Sequence, residues 1–269
     1  MRIKLKLYSV HSARVAINYN YSLSSAIYKL LRFGSPEFSA FLHHKGFIIK
    51  NKSYKLFTFS LQFDNAVLDG NSFILKSPIA YLYVTSPLVD EFIKNFVIGT
   101  FENQAIEIMA ENIFTRFNIR QAEILPEPEF NEEMKFKMMT STVLSTMKIV
   151  NGKLSPYYYR YNDDLNEINR VLMQNLINKY SIIYNKEYSG KGIKLTWDEN
   201  YINHALKNKK RLSKKVSILK DINKPIEIVG IYCPFNISGD KELIKVGYEC
   251  GYGEKNSMGF GMAEVIANN

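Results

Sequence analysis

The chain has 269 residues, with 46% hydrophobic and 23% charged side chains. This composition is typical of a folded globular protein and excludes disordered and collagen-like chains, while the length favours two modest domains. No apolar run is long enough for a membrane span, and the N-terminus lacks the apolar core of a signal peptide. We therefore expect a cytoplasmic protein with no membrane partner.

The first half of the chain alternates strand and helix patterns. Charged and apolar residues alternate over residues 2–8, which predicts a half-buried strand, and residues 22–35 predict a helix with a cap at Ser22. A second helix is predicted over residues 86–99, ending at Gly99. Further strands are predicted at residues 54–63, 78–86 and 103–113. The order β-α-β-β-α-β predicts a ferredoxin-like domain.

The pattern repeats beyond a proline-containing linker at residues 124–130. We expect an N-terminal domain over residues 1–125 and a C-terminal domain over residues 126–269. The C-terminal elements are predicted as a strand at 133–144, a helix at 163–180, strands at 216–220 and 226–233, a helix at 240–251 and a strand at 258–267. The predicted fold is α+β, with tandem ferredoxin-like (RRM-like) domains and antiparallel sheets.

The net charge of +9 is concentrated in one basic run, residues 207–215. The run contains six basic residues and no acid: Lys207, Lys209, Lys210, Arg211, Lys214 and Lys215. Such a cluster indicates a polyanion partner, and the alternative is a solvated surface loop.

Metal and nucleotide motifs are missing from the sequence. The cysteines Cys233 and Cys250 lack C-x-x-C spacing and are interpreted as packing residues, and the adjacent Asp163 and Asp164 fit a helix N-terminus. Neither a P-loop nor a Rossmann fingerprint is present. We expect no metal and no cofactor.

Three residue types outside the core patterns suit proton transfer and phosphate binding. Residues 35–46 predict a short helix, capped by Ser35, that places His43 and His44 off its buried stripe in the last turn. Tyr28 points away from the apolar stripe of its own helix, and Lys55 stands at the start of a strand. The alternatives are two solvated histidines, a surface tyrosine and a strand-edge lysine.

A His, Tyr and Lys without metal ligands suit cleavage of RNA. The ribose 2′-hydroxyl is a built-in nucleophile, so the protein needs to move protons and neutralise charge on the phosphorus. Imidazole, with an ordinary pKa of about 6.5, suits acid–base work, and an ammonium group suits the phosphate.

Glycines cluster near the C-terminus, where five of 14 lie within residues 247–261. A glycine-rich loop allows backbone amides to approach a phosphate, and the alternative is a tight structural turn.

Residues 243–265, LIKVGYECGYGEKNSMGFGMAEV, strongly resemble the C-terminal signature of the CRISPR-associated repeat-processing endoribonucleases. Those enzymes belong to the repeat-associated RNA-binding superfamily. The segments SSAIYKLL, FLHHKG and YKLFTFSLQF are similar to the helix, histidine segment and strand that carry the family's catalytic residues. The resemblance implies His43 as the catalytic histidine, Tyr28 as its partner in proton transfer and Lys55 as the phosphate-facing charge, with His44 and Lys52 as alternates. It also implies that the glycine-rich loop binds RNA through Gly251, Gly253, Lys255, Asn256, Gly259 and Gly261. The charge of the basic run predicts that it binds RNA as well.

The implied function is metal-independent cleavage of CRISPR precursor RNA within each repeat, leaving 2′,3′-cyclic phosphate and 5′-hydroxyl ends. One alternative is a non-catalytic RNA-binding subunit of the same superfamily, and another is a general single-strand binder. The implied partner is CRISPR repeat RNA. A multi-subunit effector complex and a homodimer are both left open.

Overall fold

A computed structural model of the chain describes residues 1–9, 14–150, 152–218 and 225–266. His11 and the last residues of the strands predicted at 216–220 and 258–267 lie outside the described residues. The chain divides into two compact units, Met1–Glu127 with Ser217–Ile226 and Pro128–Val216 with Glu227–Asn269. Within the described residues, no helix has the length and apolar character needed to cross a membrane.

The first unit contains ten strands and three α-helices among its described residues. In chain order they are β1 (Arg2–Ser9), β2 (Arg14–Ala16), α1 (Asn20–Gly34), α2 (Pro36–His44), β3 (Phe47–Ile49), β4 (Lys52–Tyr54), β5 (Thr58–Phe63), β6 (Ala66–Asp69), β7 (Ser72–Leu75), β8 (Ile79–Thr85), α3 (Lys94–Asn103), β9 (Ala105–Ala110) and β10 (Ile113–Leu125). A π-helical turn, Val89–Ile93, precedes α3.

Five of these strands form an antiparallel sheet in the order β5-β8-β1-β10-β9. The apolar face of β1, including Leu5, packs with Ile27 of α1 and Phe96 of α3 in one buried cluster. This confirms the predicted ferredoxin-like arrangement, with one correction. The strand predicted at 103–113 is the edge strand β9, whereas the last strand of the ferredoxin-like order, which pairs with β1, is β10. The sequence pattern did not predict β10, because its second half is largely exposed and has no buried stripe.

The predicted helix boundaries need two corrections. Helix α1 begins at Asn20, and the Ser22 hydroxyl accepts a hydrogen bond from the Met109 amide at 2.7 Å instead of capping the helix. Helix α3 continues through Gly99 to Asn103. A Cβ at Gly99 would lie 2.0 Å from the Leu30 carbonyl oxygen, so this glycine permits close packing of α3 on α1 and does not end the helix.

The C-terminal part of the chain supplies the remaining elements. They are β11 (Glu133–Met138), β12 (Ser145–Val150), β13 (Lys153–Tyr158), α4 (Leu165–Tyr184), β14 (Ile193–Trp197), α5 (Glu199–Lys207), β15 (Ser213–Ile218), β16 (Ile226–Ile231), β17 (Phe235–Gly239), α6 (Lys241–Cys250) and β18 (Ala263–Val265). A 3₁₀ turn, Asn256–Met258, lies between α6 and β18.

The second sheet has the order β14-β17-β11-β18, and α4 and α6 pack together beside it. The succession β11-α4-β14-β17-α6-β18 is again ferredoxin-like. The strands predicted at 216–220 and 226–233 correspond to β15 and β16, which pair with each other outside this sheet. The sheet strands in their place are β14 and β17, which were not predicted, although the five residues of β14 alternate between buried and exposed.

Candidate functional site

The first unit carries a groove of about 510 Å³ between α1 and α2. Its lining includes Tyr28 and Arg32 of α1 with Ser39, His43 and His44 of α2. The Ser39 hydroxyl donates to the Tyr28 carbonyl at 3.0 Å and so joins the two helices. Two of the implied catalytic residues and one alternate therefore share one concave surface.

Local signals in the sequence fix α2. The Ser35 hydroxyl accepts from the Phe38 amide at 3.2 Å, and Pro36 occupies the first turn, as predicted. Leu42 is fully buried, which anchors the helix, whereas both histidines in the last turn are exposed. Burial of Leu42 thus directs His43 and His44 into solvent.

The histidine and tyrosine rings are in contact. The His43 ring lies perpendicular to the Tyr28 ring at a centroid distance of 5.1 Å and perpendicular to the His44 ring at 4.8 Å. Tyr28 packs edge-on against the buried Phe57 at 5.7 Å, so it is half-buried rather than exposed as the helical pattern had suggested. The tyrosine is therefore held in place by the core, and its ring in turn contacts the His43 ring.

The Lys55 side chain is held at the C-terminal end of α2. Its Nζ donates to the His43 carbonyl oxygen at 3.2 Å, where the partial negative charge of a helix C-terminus favours a cation. Gly46, at φ +65°, follows α2, and a Cβ there would lie 2.8 Å from the Lys55 Cδ. The bare backbone of Gly46 leaves room for the lysine stem to reach the helix end.

The alternates and one additional residue occupy different positions. His44 lies beside His43 in the groove, while Lys52 is exposed on β4 opposite Ile49. Arg32, which was not predicted to be functional, also lines the groove and is exposed. Its spacing of one helical turn from Tyr28 was the available signal.

The glycine-rich loop of the second unit is packed around Tyr252. Its hydroxyl donates to the Ile244 carbonyl at 3.1 Å, and a Cβ at Gly247 would lie 2.2 Å from its ring. A Cβ at Gly253 would lie 2.3 Å from the Val143 carbonyl oxygen, and one at Gly261 would lie 2.1 Å from that of Tyr252. These glycines are required for close backbone packing.

The remaining loop residues divide into exposed and buried groups. Lys255 is exposed in a left-handed conformation, φ +59°, whereas Asn256 is buried and its Nδ2 donates to the Phe260 carbonyl at 3.0 Å. Gly251 and Gly259 are buried at φ +87° and +77°. The loop thus presents a lysine on a rigid, glycine-dependent backbone.

The basic run extends from the end of α5 into β15, and all six of its basic side chains are exposed. Leu212, only 3% exposed, anchors its middle. Lys215 forms an ion pair with Glu227, and the Lys214 ammonium lies 4.0 Å from the centroid of the Tyr232 ring. Lys207, Lys209, Lys210 and Arg211 present the run's remaining positive charge.

The two cysteines and the adjacent aspartates, which are residue types that bind metals elsewhere, have structural roles here. The described residues include no group of three His, Cys, Asp or Glu placed to hold a metal ion. Cys233 and Cys250 are buried, and burial raises the pKa of each thiol to about 12. Asp164 caps α4 through the Asn166 amide at 2.9 Å, as the helix pattern indicated, and Asp163 accepts from the Tyr157 hydroxyl.

Comparison with known proteins decides the family. Residues 14–120 match the description "CRISPR-associated protein Cas6, N-terminal", and residues 125–265 match "CRISPR associated protein Cas6, C-terminal". The chain belongs to the Cas6 family.

Relatives and solved structures match this Cas6-family chain over nearly its whole length. The CRISPR-associated endoribonuclease Cas6 1 of Methanocaldococcus jannaschii is 34% identical, covering 97% of this chain and 91% of the relative. A solved structure of a CRISPR-associated protein Cas6 is 30% identical with a TM-score of 0.73, covering 99% of both chains. A Cas6-related protein from Pyrococcus furiosus, 24% identical, shares the fold with a TM-score of 0.82 and covers 100% of this chain and 99% of its own.

Proposed function

We propose that this chain is an endoribonuclease that binds CRISPR repeat RNA and cleaves precursor transcripts at the α1–α2 groove. The observation that carries the proposal is the convergence of His43, Tyr28 and Lys55, in which one histidine contacts the tyrosine ring and its carbonyl binds the lysine ammonium. Membership of the Cas6 family and the relative named as an endoribonuclease support it.

The proposed reaction uses the RNA's own nucleophile. The 2′-oxygen attacks the adjacent phosphorus while a base removes its proton, and the P–O5′ bond breaks as an acid protonates the leaving oxygen. The products are a 2′,3′-cyclic phosphate and a 5′-hydroxyl. Of His43 and Tyr28, one removes the proton from the 2′-hydroxyl and the other protonates the leaving 5′-oxygen. Lys55 neutralises the charge that accumulates on the phosphoryl oxygens. The RNA supplies the nucleophile and the leaving group, and these side chains supply the proton transfers and the charge contact, so the proposed mechanism requires no metal.

Repeat RNA is proposed to bind the second unit through the glycine-rich loop and the basic run. Lys255 and the four exposed cations Lys207, Lys209, Lys210 and Arg211 provide phosphate contacts. Each neutralised phosphate releases counterions, so affinity should fall steeply with salt. Dependence on the repeat sequence separates this interpretation from general single-strand binding.

The test is incubation of end-labelled repeat RNA with excess chelator, beside the same RNA carrying a 2′-deoxy sugar at the cut site. We expect cleavage of the first RNA only, with 2′,3′-cyclic phosphate and 5′-hydroxyl ends on the products. Cleavage of the deoxy RNA would contradict 2′-hydroxyl attack. Tight binding of both RNAs without cleavage would instead favour the non-catalytic RNA-binding subunit.

A further inference from the structure

Lys179 of α4 is a lysine in an apolar position. It is 2% exposed and continues the buried stripe of Leu172 and Leu176 along the helix. Lysine is almost never fully buried without partners, because removing its charge from water is costly. Nothing in the proposed cleavage reaction uses this residue, so its burial needs a separate explanation.

Within the described residues, all hydrogen bonds of the Lys179 ammonium go to the glycine-rich loop. Its Nζ donates to the carbonyl oxygens of Gly251 at 2.7 Å and Gly253 at 2.8 Å and to the Asn256 Oδ1 at 2.8 Å. An ammonium group has three N–H donors, so these acceptors use its full capacity. Two of the anchored residues, Gly253 and Asn256, flank the exposed Lys255.

We propose that Lys179 is a positioning residue that holds the glycine-rich loop in its RNA-binding conformation and so directs Lys255 toward a phosphate of the repeat. The inference rests on the proposed function of the chain as a repeat-RNA-binding enzyme. Lys179 itself touches no RNA; it acts through the backbone on either side of Lys255.

The protonation state of Lys179 should control this anchor. Burial lowers its pKa to about 8, and the titratable groups facing it are the Cys250 thiol on α6 and the Glu254 carboxylate in the loop, which opposes the shift. The thiol is neutral near pH 8, because burial raises its pKa to about 12. A neutral amine has two N–H donors, so deprotonation leaves one of the three loop oxygens without its hydrogen bond.

The loop anchor weakens as the pH rises above 8, whereas the free energy of unfolding of the protein increases over the same range. The folded pKa of Lys179, about 8, lies below the unfolded value of about 10.4. Between these values the unfolded chain binds more protons, so deprotonation of Lys179 raises the free energy of unfolding as pH rises. A loss of RNA affinity there cannot be attributed to destabilisation by this group.

The experiment measures the Kd for repeat RNA with a 2′-deoxy cut site between pH 6.5 and 9.5 at fixed ionic strength. The proteins are the wild type, Lys179→Met and the exposed control Lys186→Met, with circular dichroism verifying that each is folded. We expect the wild-type and control Kd to rise about tenfold as the pH passes 8, from the loss of a charged hydrogen bond. Lys179→Met should bind weakly at pH 7 with a flat profile.

Two outcomes would overturn the inference in distinguishable ways. The first is tight wild-type binding of repeat RNA with a Kd that does not change across pH 8. This result would contradict the role of Lys179 and leave the proposed function intact, and it does not require the variant to fold. Equal profiles for the wild type and a folded Lys179→Met would do the same. Absence of repeat-RNA binding at every pH would overturn the proposed function together with the inference.

Discussion

Gly46 controls the position of Lys55, which makes Gly46→Ala an informative perturbation. A Cβ at Gly46 would lie 2.6 Å from the Tyr54 carbonyl oxygen and 2.8 Å from the Lys55 Cδ. The first contact is with backbone, so the segment that carries Lys55 must move. We expect Lys55 to lose its 3.2 Å hydrogen bond to the His43 carbonyl and with it the position from which it is proposed to contact the scissile phosphate.

Gly70→Ala is the matched control. Gly70 has φ +58°, close to the φ +65° of Gly46, but a Cβ there would meet no atom within 4 Å. Both alanines incur the left-handed backbone penalty of about 1–2 kcal/mol. The Gly46 variant adds the steric displacement, which we expect to cost a further 1–3 kcal/mol, about the cost of overpacking.

The assay is single-turnover cleavage of repeat RNA at saturating protein, with the free energy of unfolding measured by urea titration. We expect Gly46→Ala to cleave at least about tenfold more slowly than Gly70→Ala. This is less than the roughly hundredfold lower range for removing one contact to the transition state, because Lys55 is displaced and not removed. RNA affinity should be similar for both, since the phosphate contacts proposed for binding lie in the second unit. Equal cleavage rates in the two folded variants would refute the role given to Lys55.

Three further results are expected. Gly99→Ala should destabilise the protein by about 2–4 kcal/mol in urea titrations, because its Cβ would clash with the Leu30 carbonyl oxygen at 2.0 Å; a stable variant would contradict the close packing of α1 and α3. Replacing Lys207, Lys209 and Lys210 by Gln should weaken repeat-RNA binding and reduce the magnitude of its salt slope by up to about 3; an unchanged slope would remove the basic run from the interface. Deprotonation of Lys179 should raise the free energy of unfolding by up to about 3 kcal/mol between pH 8 and 10.4, and Lys179→Met should lack this increment.

Elements whose structure depends on residues close together in the chain were predicted best. Ser35, Pro36 and Gly46 specify helix α2 through its cap, its first turn and the left-handed residue beyond its end, all within twelve positions. The same locality placed His43 and His44 off the apolar stripe. Their contact with Tyr28 depends on the packing of α2 against α1, which no local pattern encodes.

Elements determined by distant partners were harder to predict. Strand β10 pairs with β1 across more than a hundred residues of chain, from Arg2 with Leu125 to Ser9 with Phe117, and its exposed half has no periodicity. Lys179 lies inside the predicted helix at 163–180, yet its acceptors are 72 to 77 positions away. A lysine in an apolar helical stripe was the available signal, but it does not identify the partner.

The proposed function requires that exposed imidazole in the α1–α2 groove cleaves RNA without metal. The most direct measurement is the single-turnover rate of repeat-RNA cleavage in excess chelator by the wild type, the His43→Ala, His44→Ala double variant and the control His204→Ala, which alters an exposed histidine on α5. We expect the double variant to lose at least about a hundredfold in rate, the usual lower bound for general acid–base catalysis, with RNA affinity retained and His204→Ala unchanged. Cleavage by the double variant at the wild-type rate would contradict the claim.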